Sequence, residues 1–137
     1  MKIAINGLGR IGRAVFKILH SNDDFEVSAM NDIVDSEKIA YLMKYDSVYG
    51  RFEGDIESVE DGLVSDGKRI PLYSEKELSV LPWHEHDIDM VFECTGVFNK
   101  RTDLKKHLGG NVKHVILSAP AKDDDIPTVV FGVNKPQ

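Results

Sequence analysis

The chain has 137 residues, 42% hydrophobic and 29% charged, enough for one globular domain that buries about two-thirds of its unfolded surface. Its net charge of −6 argues against a nucleic-acid-binding face, since nothing offsets phosphate repulsion. No apolar run reaches about eighteen residues and no signal-peptide pattern is present, which argues against membrane and export, while the single cysteine fits a reducing, cytoplasmic compartment.

Lys2–Asn6 reads as a short apolar strand. Directly after it comes Gly7-Leu8-Gly9-Arg10-Ile11-Gly12, a G-x-G-x-x-G set between a strand and a helical pattern. In that setting Gly7 permits a tight turn, Gly9 lets the backbone approach a pyrophosphate, and Gly12 lets helix and strand pack closely. The helix opening there aims its free N–H groups and positive dipole end at the phosphates. Arg10 and Ile11 lie inside this loop and bind through their backbone N–H groups. The Arg10 side chain either adds charge near the phosphates or pairs with an acidic neighbour. Ile11, Ala14, Val15, Ile18 and Leu19 then fall on one helical face, and Ser21-Asn22-Asp23-Asp24 ends the helix.

Glu26–Asn31 is the next strand, closed by Asp32 twenty residues beyond Gly12. An acid at this place accepts hydrogen bonds from two ribose hydroxyls of an adenosine. A 2′-phosphate would bring like charges together at a cost on the order of a few kcal/mol, and Ile33 offers no cation to offset it. This favours NAD over NADP; the competing reading is that Asp32 merely caps a loop.

A second helix is expected from about Ser36 to Lys44, capped by Asp35 or Ser36, with Ile39, Ala40 and Met43 facing inward. Over residues 48–72 short Val, Ile and Leu runs are punctuated by Glu60-Asp61-Gly62 and Ser65-Asp66-Gly67. Asp-Gly between apolar runs signals hairpins, so a small antiparallel excursion is expected here. Alternation then resumes: a strand at 88–92 with Thr95-Gly96 at its carboxyl end, and a helix at 100–108 stopped by Gly109-Gly110. Next come a strand at His114–Leu117 ending in Ser118-Ala119-Pro120 and a final strand at 128–133. The pattern implies an α/β, Rossmann-type, mostly parallel doubly wound sheet. Ligands bind such sheets at the carboxyl ends of the strands, where residues 7–12, Asp32, Thr95-Gly96 and Ser118 all fall.

Other reactive residue types point elsewhere. Cys94 ends a buried strand with no Lys, His or helix N-terminus beside it, so it reads as a buried thiol and not a nucleophile. His84-Glu85-His86 lacks the spacing of a helical zinc pair, and Asp123-Asp124-Asp125 lacks the glycine and glutamate of a calcium loop. Both read as solvated surface, and no metal is expected.

Several segments then combine. Residues 5–13, Asn31-Asp32, Lys44-Tyr45-Asp46-Ser47-Val48, Leu81-Pro82-Trp83, Thr95-Gly96-Val97-Phe98, Ser118-Ala119-Pro120-Ala121-Lys122-Asp123 and Gly132-Val133-Asn134 together resemble the N-terminal, cofactor-binding half of the glyceraldehyde-3-phosphate dehydrogenase family. The resemblance implies NAD as cofactor, with Arg10 and Ile11 in the phosphate loop and Asp32 on the adenosine ribose. It places Lys76 near the adenine, largely through backbone, Thr95 and Gly96 beside the cofactor, and Ser118 near the nicotinamide end. Tyr49 stands where a histidine is common and Cys94 where a serine is common, neither position being catalytic in the family.

In the family the catalytic cysteine, in a Ser-Cys-Thr-Thr-Asn motif, and its histidine base follow Gly-Val-Asn; neither occurs in this sequence. The expectation is therefore an NAD-binding domain over residues 1–137 without a catalytic domain. It should bind NAD and be inactive alone, whereas the whole glycolytic enzyme is a cytoplasmic homotetramer. The truncated chain is expected to be a monomer or a non-native oligomer, and neither nucleic acid nor membrane is expected as a partner. The alternatives are the cofactor domain of erythrose-4-phosphate dehydrogenase and a non-enzymatic NAD-binding module.

Overall fold

Short apolar runs alternate with amphipathic stretches, and the computed structural model, which describes residues 1–135, gathers those runs into one seven-stranded sheet. In chain order the elements are β1 (Lys2–Asn6), α1 (Arg10–His20), β2 (Glu26–Asn31), α2 (Ser36–Lys44), β3 (Tyr45–Asp46), β4 (Gly50–Arg51), β5 (Ile56–Val59), β6 (Gly62–Ser65), β7 (Lys68–Tyr73), β8 (Met90–Glu93), α3 (Arg101–Leu104) and β9 (His114–Leu117). Their order across the sheet is β5-β6-β7-β2-β1-β8-β9. The five strands from β7 to β9 are parallel, β5 and β6 pair antiparallel at one edge, and β3 with β4 forms a separate small hairpin. The winding reverses at β1, between β2 and β8, which creates the crevice that open α/β sheets use for ligands.

Alternation along the strands feeds two cores. Ile3 and Ile5 of β1 join Phe16 and Leu19 of α1 and Ile39 and Met43 of α2 on one face. Ala4 points to the other face, under Leu78, Leu81, Trp83 and Ile88. That second face is covered by 3-10 turns at Leu78–Val80, Trp83–His86 and Lys105–His107. A bulge tunes the phase: Ile3 pairs with Val27 but Ala4 with Ala29, so Ser28 is an extra residue on β2. Val27 and Met30 thereby share one core, and Asn31 comes level with Asn6.

Expected α1, β2, α2 and β9 appear where the patterning places them, and Asp35 caps α2 by accepting from the N–H groups of Glu37 and Lys38. The inward face of α1 differs from the expected one, for Gly12, Phe16 and Leu19 are buried while Ile11 and Ile18 are exposed. The antiparallel excursion is a β5-β6-β7 meander continuous with the main sheet. Its second turn is Asp66-Gly67, both at positive φ (48° and 78°) as a type I′ hairpin requires. The first turn is Glu60-Asp61, and Gly62 already belongs to β6. A Cβ at Gly62 would lie 2.5 Å from the Ile70 carbonyl oxygen, so this glycine serves close strand approach and not the turn.

Three further expectations are corrected. The strand expected at 88–92 begins at Met90 and ends at Glu93. The helix expected at 100–108 has only one α-helical turn, α3, and tightens into the 3-10 turn Lys105–His107, which brings His107 inward to the core. The strand expected at 128–133 does not form. A strand needs a partner ladder, and this segment bonds to itself: Val133 and Asn134 N–H groups both reach the Val130 carbonyl, and Val130 N–H donates to Asn134 Oδ1. Its apolar side chains find no face to pack on, and Phe131 is fully exposed. Among the described residues no helix is long and apolar enough to cross a membrane.

Candidate functional site

The glycine loop is built by close packing at two of its three glycines and by open space at the third. Gly7 has φ 92°, and a Cβ there would sit 2.6 Å from the Thr95 backbone nitrogen. A Cβ at Gly12 would lie 1.9 Å from the Gly7 carbonyl oxygen, an impossible contact, so α1 rests directly on the turn. At Gly9 nothing stands within 4 Å of the same position. This asymmetry matches the roles that a pyrophosphate requires: two glycines compact the loop and one leaves room for a ligand against the backbone. Gly9 is also the N-cap of α1 and gives it no side-chain hydrogen bond, so the first-turn N–H groups are left for another acceptor. Arg10 and Ile11 at that end are exposed, and Arg10 enters no ion pair among the described residues.

Asp32 does more than either sequence reading foresaw. Its Oδ1 accepts from Val34 N–H at 2.9 Å, the loop-capping bond. Its Oδ2 accepts from Leu8 N–H at 2.6 Å, which ties the glycine loop to the end of β2. Each carboxylate oxygen keeps a free lone pair, so the group can still receive two hydroxyl donors. Beside it, Asp32 N–H donates to the Tyr73 carbonyl, joining the ends of β2 and β7. Exposed Lys76 lies in the loop after β7, which Asn31 holds by bonding both the N–H and the carbonyl of Glu75.

Across the crevice, β8 ends in Glu93 and leads into Thr95-Gly96. Thr95 gives both its N–H and its hydroxyl to Glu93 Oε1, and Gly96 adopts φ 72°. Ser118 follows β9, donates its N–H to the Glu93 carbonyl and leaves its side chain exposed. The structure thus brings residues 7–12, Asp32, Thr95, Gly96 and Ser118 together at the carboxyl ends of adjacent strands, with the Lys76 loop pinned at the β2 and β7 side.

Sequence reasoning missed a buried polar row beneath this groove. Asn31, Asn6 and Glu93 are the last residues of β2, β1 and β8 and pair in register. Asn31 Nδ2 donates to Asn6 Oδ1 at 2.7 Å, and Asn6 Nδ2 donates to Glu93 Oε2 at 2.6 Å. His107 and Trp83 extend the row from the second face. The available signal was that three separate strand runs each end on an amide or an acid.

The remaining candidates have local roles. Burial pushes the Cys94 thiol above its ordinary range and the Glu93 charge adds to this, against an opposing hydrogen bond with Ser118, so no thiolate is favoured. His86 Nε2 bonds the Tyr73 hydroxyl at 2.6 Å, and His84 faces Glu85 in an exposed pair. Among the described residues no group of three or more metal-ligating side chains converges. The acidic run is not merely solvated: Asp123 accepts the Arg101 N–H at the start of α3, and Asp125 pairs with the Arg101 guanidinium at 2.6 Å.

Comparison with known proteins agrees with this geometry. Residues 1–101 match the family model described as glyceraldehyde 3-phosphate dehydrogenase, NAD binding domain. Glyceraldehyde-3-phosphate dehydrogenase 1 of Bacillus cereus is 48% identical over 136 residues, covering 99% of this chain and 40% of the relative. Glyceraldehyde-3-phosphate dehydrogenases of Thermotoga maritima and Geobacillus stearothermophilus are each 47% identical, over 99% and 98% of this chain. The chain spans about 40% of the length of these curated relatives.

Proposed function

Because the chain belongs to the glyceraldehyde-3-phosphate dehydrogenase family, matching its NAD-binding domain, we propose that residues 1–137 form the cofactor domain of an enzyme that oxidises an aldehyde. NAD is the cofactor of this family domain, and when bound it supplies the hydride acceptor. The observation that carries the reading is the glycine loop, with Gly9 open, Gly7 and Gly12 closed, and an uncapped α1 N-terminus beside it.

In this reading Gly9, Arg10, Ile11 and Gly12 present backbone N–H groups to the pyrophosphate, compacted by the turn at Gly7. Asp32 accepts from the adenosine ribose hydroxyls while Leu8 N–H holds its carboxylate in place, and its charge repels a 2′-phosphate. Lys76 flanks the adenine, Thr95 and Gly96 wall the middle of the cofactor, and Ser118 borders the nicotinamide end. No residue of this chain is assigned a catalytic role. In the family the nucleophile and its base lie in the catalytic domain, and residues 1–137 taken alone bind NAD and turn over no substrate. The whole enzyme acts in glycolysis in the cytoplasm as a homotetramer, and residues 1–137 taken alone form a monomer or a non-native oligomer. Cys94-Thr95-Gly96 resembles the Cys-Thr-Gly often carried by erythrose-4-phosphate dehydrogenase, which makes erythrose 4-phosphate the alternative substrate.

Calorimetric titration tests the binding claim. NAD is expected to bind, with Asp32→Ala weakening it, and added glyceraldehyde 3-phosphate and phosphate are expected to yield no NADH. A folded chain that binds no NAD, or one that forms NADH unaided, contradicts the proposal.

A further inference from the structure

Glu93 is fully buried beneath the groove and has no role in the binding scheme above. Yet four donors converge on it. We propose that Glu93 is a positioning residue for the dinucleotide: its carboxylate locks the Thr95-Gly96 wall and the Glu75-Lys76 wall of the cleft into one unit. The proposal deepens the NAD reading and rests on it.

The direction of every hydrogen in the row is fixed from both ends. Glu75 N–H is only a donor, so Asn31 Oδ1 faces it at 2.8 Å and Asn31 Nδ2 turns to Asn6 Oδ1. Asn6 Nδ2 is thereby aimed at Glu93 Oε2. At the other end the Trp83 indole N–H is also only a donor, so His107 Nδ1 accepts it at 3.0 Å and Nε2 carries the proton. That Nε2–H donates to Glu93 Oε2 at 2.8 Å. Thr95 adds its N–H and hydroxyl at Oε1. Four donors and no acceptor face two oxygens, an arrangement that suits a carboxylate; an amide at position 93 would set its NH2 against two of them.

Asn6 is fully buried, and Asn31 and His107 are nearly so. In such a low-dielectric place a satisfied network is rigid and a partly satisfied one is costly. The register explains why three strands can contribute: Asn6 pairs with Asn31 on one side and with Glu93 on the other, at neighbouring-strand spacing. Glu93 therefore acts on the groove through Thr95 at one wall and through Asn6 and Asn31 at the other.

Calorimetric titration with NAD, well below each protein's unfolding midpoint, compares the wild-type chain with Glu93→Gln, Asn31→Ala and the double variant. Each single substitution is expected to weaken NAD at least about tenfold. The double variant is expected to be little weaker than Glu93→Gln, because both changes break one connected device. Histidine 15N shifts should place the wild-type His107 in the Nε2–H tautomer; the Nδ1–H tautomer would overturn the donor assignment. Folded single variants that keep wild-type affinity and only melt earlier would make the row purely structural and overturn the proposal, as would fully additive losses. Should Glu93→Gln fail to fold, Asn31→Ala decides alone: a tenfold loss upholds the proposal and an unchanged affinity overturns it. A folded wild-type chain that takes up no NAD removes instead the cofactor reading beneath it.

Discussion

Gly12 of the glycine loop and Gly67 of the Asp66-Gly67 hairpin turn both stand at turns that require glycine, and they use it for opposite reasons. At Gly67 the backbone needs a positive φ of 78° and the space around a Cβ is empty, so local turn chemistry is the whole story. At Gly12 the backbone is ordinary helix, and the reason for glycine is the Gly7 carbonyl oxygen 1.9 Å from where a Cβ would stand. One turn is written in its own residues. The other exists because a helix, a strand end and the loop after β8 meet at one place.

The sharpest way to break this contrast is to add one methyl group at each place. Gly12→Ala must push α1 off the turn, and is expected to destabilise by about 1–3 kcal/mol and to lower NAD affinity by on the order of a hundredfold. Gly67→Ala is expected to cost about 1 kcal/mol through its positive φ and to leave NAD affinity unchanged. Urea unfolding and calorimetry on the two variants read both effects, and equal losses of affinity would erase the distinction.

Asp32→Ala comes next in size. It removes the ribose acceptors and orphans Leu8 N–H, so NAD should weaken by about ten- to hundredfold, and the preference over NADP should shrink. Competition titration with both nucleotides checks this. A smaller effect is expected from Trp83→Phe, which deletes the donor to His107 Nδ1 and leaves a buried acceptor unpaired. Thermal unfolding should register about 1–3 kcal/mol of lost stability, with a weaker effect on NAD.

The smallest effect belongs to the meander. Asp66 accepts the Asp55 N–H and bonds His20, and these hold its carboxyl below the ordinary carboxylate range. A depressed folded-state pKa gives stability that is present above the unfolded value of 3.8 and is lost as pH falls through the folded value. Asp66→Asn should therefore flatten the acid limb of the unfolding curve below about pH 4 without changing NAD affinity.

The legibility of the sequence follows the same division. Strand and helix periodicity, the Asp-Gly hairpin and the Asp35 cap depend on neighbours in the chain, and all were readable. The glycine loop was readable because its spacing has a known mechanism. The Ser28 bulge, the 3-10 tightening that brings His107 inward, and the row from Asn31 to Trp83 depend on which strands lie side by side, which no local pattern reveals. The apolar run at 128–133 misled for the converse reason: its composition suits a strand, but no partner ladder receives it. Asp32 was half legible, since its acid chemistry was plain but its bond to Leu8 N–H needed the fold.

The most direct measurement is 1H–15N amide mapping of this chain as NAD is added. The expected result is shifts concentrated at Gly9, Arg10, Ile11, Gly12, Asp32, Lys76, Thr95 and Gly96, with the hairpin residues Asp61, Asp66 and Gly67 unmoved. Shifts centred on the meander, or none at all in a folded chain, would contradict the assignment of the strand-end crevice as the NAD site.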